Sequence, residues 1–112
     1  MVLRKNYSKV QLKTTKEMIL DNSGLIHGGF IFSLADYAAM LAINHPFVVL
    51  GGANVRFLLP VKIGDIIIAE SKVAQIKGKK HIVDVIIQRN TDIIFKGEFY
   101  CFIPQKHILE RN

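Results

Sequence analysis

Residues 28 to 44, Gly-Gly-Phe-Ile-Phe-Ser-Leu-Ala-Asp-Tyr-Ala-Ala-Met-Leu-Ala-Ile-Asn, leave this chain few ways to fold. Small and apolar side chains dominate, and the run predicts a helix that Pro46 ends, because a residue ahead of proline is pushed out of helical geometry. Apolar residues fall at Phe30, Leu34, Tyr37 and Leu41, and also at Ile31, Ala35 and Ala38, so nearly the whole circumference is greasy. A helix without a polar face is expected to be buried. Yet it carries one charge, Asp36. A carboxylate buried without partners costs several kcal/mol, or it takes up a proton instead. Asp36 is therefore the residue on which a functional reading turns.

A chain of 112 residues predicts one domain, 1–112, with a modest core, so self-association is expected. A hydrophobic share of 50% points the same way. The net charge of +6 reads first as a solvated surface and second as an attraction for an anion. The single Cys101 excludes an internal disulfide, and its apolar neighbours predict a buried, inert thiol in a reduced compartment. The opening Met-Val-Leu-Arg-Lys-Asn-Tyr-Ser-Lys has no apolar core of a signal peptide. No apolar run approaches the roughly 18 residues of a membrane span. A cytoplasmic protein is expected.

Around the helix the pattern has period two. Residues 8–14 alternate and predict a strand with Val10 and Leu12 inward. Residues 15–26 carry helix and turn signals, including the Asp21-Asn22-Ser23-Gly24 cluster. Strand-like runs follow at 47–59, 66–76, 82–88 and 93–103, separated by Pro60–Asp65, by the tip Lys77-Gly78-Lys79-Lys80 and by Asn90-Thr91-Asp92. Short tips between long strands predict antiparallel hairpins. The ends, 1–7 and 104–112, are expected to be flexible. The expected class is α+β: one long central helix wrapped by a curved antiparallel sheet of about five strands.

The first amides of a helix have no intrahelical acceptor and favour negative charge. Gly28 and Gly29 put no side chain in the way of an approaching oxygen, although glycines there also serve a merely tight loop. Asp36 lies eight residues past Gly28, about 12 Å along the axis at about 1.5 Å per residue. One chain cannot bring both to the same carbonyl carbon. Two helices antiparallel about a two-fold axis can. The alternative for Asp36 is a structural acid satisfied locally by Ser33 or Tyr37.

The pattern His27-Gly28-Gly29 followed by Phe32-x-Leu34-Ala35-Asp36 resembles the hotdog-fold acyl-CoA thioesterases of the phenylacetate-pathway and 4-hydroxybenzoyl-CoA type. So does Asn54-Val-Arg-Phe-Leu-Leu-Pro60 with Gly64-Asp65 downstream. The resemblance covers about residues 8 to 103. It implies the hotdog fold, homodimers, dimers of dimers, and thioester hydrolysis at the dimer interface. It implies Asp36 as general base or nucleophile and the Gly28 amide of the other subunit as oxyanion donor, with His27 and Gly29 beside it. The family's water-holding Asn falls at Asp21, so Asn22 fills that role only after a one-residue loop shift. The hydroxyl that relatives place before the Asn54 strand is absent from Val49-Leu50-Gly51-Gly52. The strand motif also resembles the effector domain of malonyl-CoA-sensing repressors, which lack the helical Asp.

Coenzyme A enters as part of the substrate, and no separate cofactor is expected. Its phosphates would be drawn to Arg56, Lys62, Lys77, Lys79 and Lys80, although Lys77–Lys80 also reads as a soluble hairpin tip. His45, His81 and His107 are too scattered for a metal signature. No nucleic-acid motif accompanies the basic charge. The expected activity is acyl-CoA hydrolysis. The alternative is a non-catalytic acyl-CoA-binding or regulatory protein on the same fold, and a third reading is an oligomeric scaffold.

Overall fold

The computed structural model describes residues 1–19 and 24–104. Asp21, Asn22 and His107 lie outside the described residues, as does most of the 104–112 tail. The elements are β1 (Val2–Arg4), β2 (Tyr7–Lys13), a 3-10 turn (Lys16–Met18), α1 (Gly28–Ile43), β3 (Val49–Phe57), β4 (Ile66–Lys77), β5 (Lys80–Arg89) and β6 (Asp92–Phe102). The strands form one antiparallel sheet in the order β1-β2-β4-β5-β6-β3, and α1 crosses one face of it.

The sheet has six strands where about five are expected. The addition is β1, which pairs with β2 through Val2↔Lys9 and Arg4↔Tyr7. All three β1 residues are exposed, so no alternation betrays it. Its turn is made by Asn6 at φ 61°, a left-handed conformation that asparagine tolerates better than most side chains. At the β4–β5 tip Gly78 takes the same role at φ 59°.

Period two does the rest. Val83, Val85 and Ile87 of β5 and Phe95, Phe99 and Cys101 of β6 turn inward and are buried. Val10 and Leu12 of β2 face inward as expected, Leu12 only partly covered. The helix meets this floor with Ala35, Ala38, Ala39 and Ala42, all at most 1% exposed. Four alanines make a shallow helix face, so the helix axis can lie close to the sheet and the large rings fill the flanks. Phe32 stacks obliquely on Phe99 with ring centres 5.4 Å apart.

The helix is not buried all round. Phe30 is 42% and Tyr37 53% exposed, and Ser33 is open as well. Hydropathy reported the apolar circumference correctly but could not say what covers it. The helix ends at Ile43, where Asn44 turns left-handed at φ 51° and its amide donates to the Met40 carbonyl. No helix among the described residues is long and apolar enough to cross a membrane.

Two serines fix where the helix sits. Ser8 Oγ lies 2.6 Å and Ser71 Oγ 2.7 Å from the Ala38 carbonyl oxygen, and the hydroxyls are 2.8 Å apart. Two hydroxyl protons thus serve three contacts in a site closed to water. Ser8→Ala and Ser71→Ala should each cost about 1 kcal/mol, the usual net worth of such a bond. The double variant should cost less than the sum, because the contacts are shared. Urea unfolding of the four proteins measures both quantities.

Candidate functional site

The start of α1 is built by its own cap. His27 sits in extended backbone as the N-cap, and its Nδ1 accepts the Gly29 amide at 2.9 Å. The ring proton of the neutral imidazole therefore lies on Nε2. The Phe30 amide turns back to the His27 carbonyl at 3.0 Å. With Gly29 and Phe30 engaged, the Gly28 amide is the donor left without a partner among the described residues.

Gly28 lines a groove of about 350 Å³ together with Ile26, Ile31, Phe57, Leu58, Leu59 and Val61, among others. A methyl group on Gly28 would meet Phe57 Cε1 at 3.5 Å, an ordinary contact, whereas one on Gly29 would press the His27 ring at 3.0 Å. Phe57, Leu58 and Leu59 are 43% exposed or more. The rim of the groove is stiffened from below: the Lys62 amide donates to Asp65 Oδ2 at 2.9 Å, and Arg89 Nη1 reaches the same oxygen at 3.0 Å and the Pro60 carbonyl at 2.9 Å. Burial alone would raise the Asp65 carboxyl, but the Lys62 amide and the Arg89 guanidinium outweigh it and hold the group below its usual range.

Asp36 lies two turns further along. It is half-buried, and its Oδ1 is shut off from water with no hydrogen-bond partner among the described residues. Neither Ser33 nor Tyr37 satisfies that oxygen. Burial raises the carboxyl above its ordinary value of 3.8. The charge is felt by Cys101 on β6, whose thiol is pushed up to about 11, first by burial and then by Asp36. Buried polar atoms without a partner are rare in folded proteins and tend to mark function.

The chain brings some expected site residues together and keeps others apart. His27, Gly28, Gly29 and Lys62 gather at the helix start, where residue 25 bridges to Lys62. Asp36 does not join them, as the helical rise requires. Lys77, Lys79 and Lys80 stand at the other end of the sheet: β5 runs from Lys80 to Arg89 beside Pro60, about 30 Å at about 3.3 Å per residue. Asp36 is on that side, since Cys101 pairs with His81 next to Lys80. Arg56 is exposed on the sheet face away from the helix. Among the described residues no His, Cys, Asp and Glu grouping fits a metal ion. The residues missed from sequence are Ser8 and Ser71, which position the helix. Their signal was available, a polar residue at an inward position of each strand.

The sequence profile of the thioesterase superfamily matches residues 23–95. Over 94 residues the chain is 57% identical to a methylthioribose-1-phosphate isomerase of Aquifex aeolicus, covering 84% of this chain and 21% of that protein. Over 98 residues it is 32% identical to the transcription factor FapR of a Thermoanaerobacter species, covering 88% of this chain and 49% of that one. The chain thus spans half or less of these curated relatives. An uncharacterized protein from Pyrococcus horikoshii superposes with a TM-score of 0.96 at 49% identity, covering 98% of this chain and 85% of that one. A hypothetical thioesterase from Streptococcus pneumoniae, solved with coenzyme A, superposes with a TM-score of 0.84 over 92% of this chain and 82% of that one. At 20% identity the second likeness shows the fold alone, which is the hotdog fold expected.

Two outcomes follow from this geometry. His27→Ala should lose about 0.5–2 kcal/mol with the cap, and His27→Asn should recover most of it, because asparagine is a strong N-cap. Chemical denaturation checks both. For Asp36, a raised folded pKa means the folded chain keeps the proton to higher pH than the unfolded one. The penalty is absent below the ordinary value of 3.8, grows as pH rises through the folded pKa and is complete above it. Asp36→Asn should therefore melt above the wild type at pH 7, and the gap should close in acid; calorimetry across pH measures it.

Proposed function

Because the chain belongs to the thioesterase superfamily, we propose that it hydrolyses an acyl-CoA thioester. Asp36 acts as general base on water or as nucleophile, and the Gly28 amide of a second copy is the oxyanion donor. The observation that carries this reading is the Asp36 carboxylate, with its Oδ1 buried, partnerless and raised in pKa inside an otherwise apolar helix. Such an acid is costly to the fold, and catalysis is the use that offsets the cost.

In the base route Asp36 takes a proton from water as the oxygen attacks the thioester carbon. In the nucleophilic route the carboxylate attacks first and water cleaves the resulting anhydride. In both, the carbonyl oxygen becomes an oxyanion, the C–S bond breaks and coenzyme A leaves as thiolate to be protonated. A free amide at a helix start suits that developing charge. His27, Nε2–H outward, stands beside it. Asn22 is assigned the water-holding role.

The helical spacing makes the site a property of two chains. The surfaces that support a homodimer are β3, a nine-residue sheet edge, and the open helix stripe of Phe30, Ser33 and Tyr37. Antiparallel helices would bring the Gly28 groove of one copy towards Asp36 of the other. Lys77, Lys79 and Lys80 would then border the site on the Asp36 side and Lys62 on the groove side, where they attract the phosphates of coenzyme A.

A second reading, acyl-CoA binding without turnover, is favoured by the likeness to the transcription factor FapR and by the absence of a hydroxyl in Val49–Gly52. Calorimetry beside a thiol-release assay separates the two: tight binding with no thiol released supports the second.

The decisive variants follow from the site. Asp36→Ala should reduce hydrolysis by about 10²- to 10⁴-fold, the usual range for a general base. Unchanged turnover would end the reading. Gly28→Pro deletes the amide at a position where proline suits a helix. His27 already has the extended backbone a following proline demands, at φ −62° and ψ 133°. The variant should fold and lose about 10²- to 10³-fold in kcat. Thiol release from a panel of short, long and aryl-CoA substrates reads both.

A further inference from the structure

The open stripe of α1 holds a polar group that the catalytic reading does not use. Of the three tyrosines, Tyr7 donates to Glu70 and Tyr100 to Glu98, while the Tyr37 hydroxyl has no partner among the described residues. Tyr37 is 53% exposed, on the helix flank turned away from the buried alanines. At about 100° per residue it stands beside Phe30 and Ser33, with Asp36 at the edge of the same stripe. A phenol hydroxyl that a second protein surface covers needs a hydrogen-bond partner there.

His27 offers one. The ring is exposed, and its Nδ1 is taken by the Gly29 amide at 2.9 Å. The ring proton therefore sits on Nε2, which has no partner among the described residues. It cannot reach Tyr37 of its own chain, because about 15 Å of helix lies between them. Two copies close that gap. Where Gly28 of one copy stands level with Asp36 of the other on antiparallel helices, each step along one helix is a step back along its neighbour. Tyr37 then comes level with His27. Packed helices lie about 8–10 Å apart, within reach of these two side chains.

We propose, resting on the two-copy thioesterase reading, that the Tyr37 hydroxyl oxygen accepts the His27 Nε2–H of the second copy and so holds that copy's helix start against Asp36. The other donors at that level are engaged. The ring takes the Gly29 amide, the His27 carbonyl takes the Phe30 amide, and the reaction needs the Gly28 amide. With a contact on each ring nitrogen the cap cannot turn, and the Gly28 amide beside it keeps one direction. Tyr37 follows the acid directly in sequence, so the carboxylate of one chain is tied to the oxyanion donor of the other. The hydroxyl touches neither water nor thioester. It is a positioning residue, whose loss lowers kcat and leaves KM in place.

Tyr37→Phe removes the hydroxyl alone, and thiol release from the short, long and aryl-CoA panel reads it. For the substrates turned over, kcat should fall about 2- to 10-fold, the worth of one neutral hydrogen bond, with KM, circular dichroism and sedimentation unchanged. His27→Asn keeps the cap but is too short to reach Tyr37, and it should cost a similar factor. The double variant should cost no more than either, because both remove the same bond. Proton–nitrogen NMR of the histidine ring reads the bond without turnover: the His27 Nε2–H signal should persist in the wild type and be lost to exchange in Tyr37→Phe. A wild-type kcat in Tyr37→Phe, losses that multiply in the double variant, or a freely exchanging Nε2–H in the wild type would each overturn the proposal. Failure of the thioesterase reading shows elsewhere, as Asp36→Ala turning over unchanged, and leaves the NMR signal to judge the bond.

Discussion

One helical carbonyl held by two hydroxyls governs the geometry. The Ala38 oxygen accepts from Ser8 on β2 and from Ser71 on β4, strands far apart in sequence. Backbone carbonyls inside a helix already have a partner, so these bonds are additional and specific. They fix both the position of α1 along the sheet and its rotation. A turn of about 100° per residue then puts Asp36, two positions earlier, on the other flank of the helix. That flank faces β6, where Cys101 feels the carboxylate. A slip of the helix by one residue would break the hydroxyl contacts and move the acid off its strand.

The two ends of the candidate site are built on different physics. At the helix start the protein spends a side chain, His27, to satisfy one amide and leaves the neighbouring one open. At Asp36 it buries an oxygen and gives it nothing. The first arrangement stabilises the fold and the second strains it, and an unpaired donor and an unpaired acceptor suit a reaction that moves a proton and builds an oxyanion. The groove between Phe57 and Val61 is apolar, while its rim is fixed by Asp65 and Arg89.

Much of this was legible in the sequence, for identifiable reasons. The helix was plain because its residues are small and apolar and Pro46 lies just beyond it. β5 was plain because Val83, Val85 and Ile87 alternate with exposed or half-buried neighbours. The His-Gly-Gly start and the helical Asp carried the family. What sequence could not give was relational. β1 has no buried residue to mark it. Ser8 and Ser71 meet only because β2 and β4 are neighbours, a long-range fact. The role of His27 as its own helix cap depends on a side-chain rotamer. Nor can hydropathy tell solvent from a second protein surface, which is why Phe30 and Tyr37 read as buried.

The straight run of α1 acts as a ruler. Its sixteen residues are rigid, so no loop movement shortens the interval between an amide at one end and an acid at its middle. If the proposed reading holds, a centre divided in this way obeys a rule of shared parentage: a chain lacking the acid and a chain lacking the amide would each be inert alone, but a mixed pair of them would contain one complete set of groups.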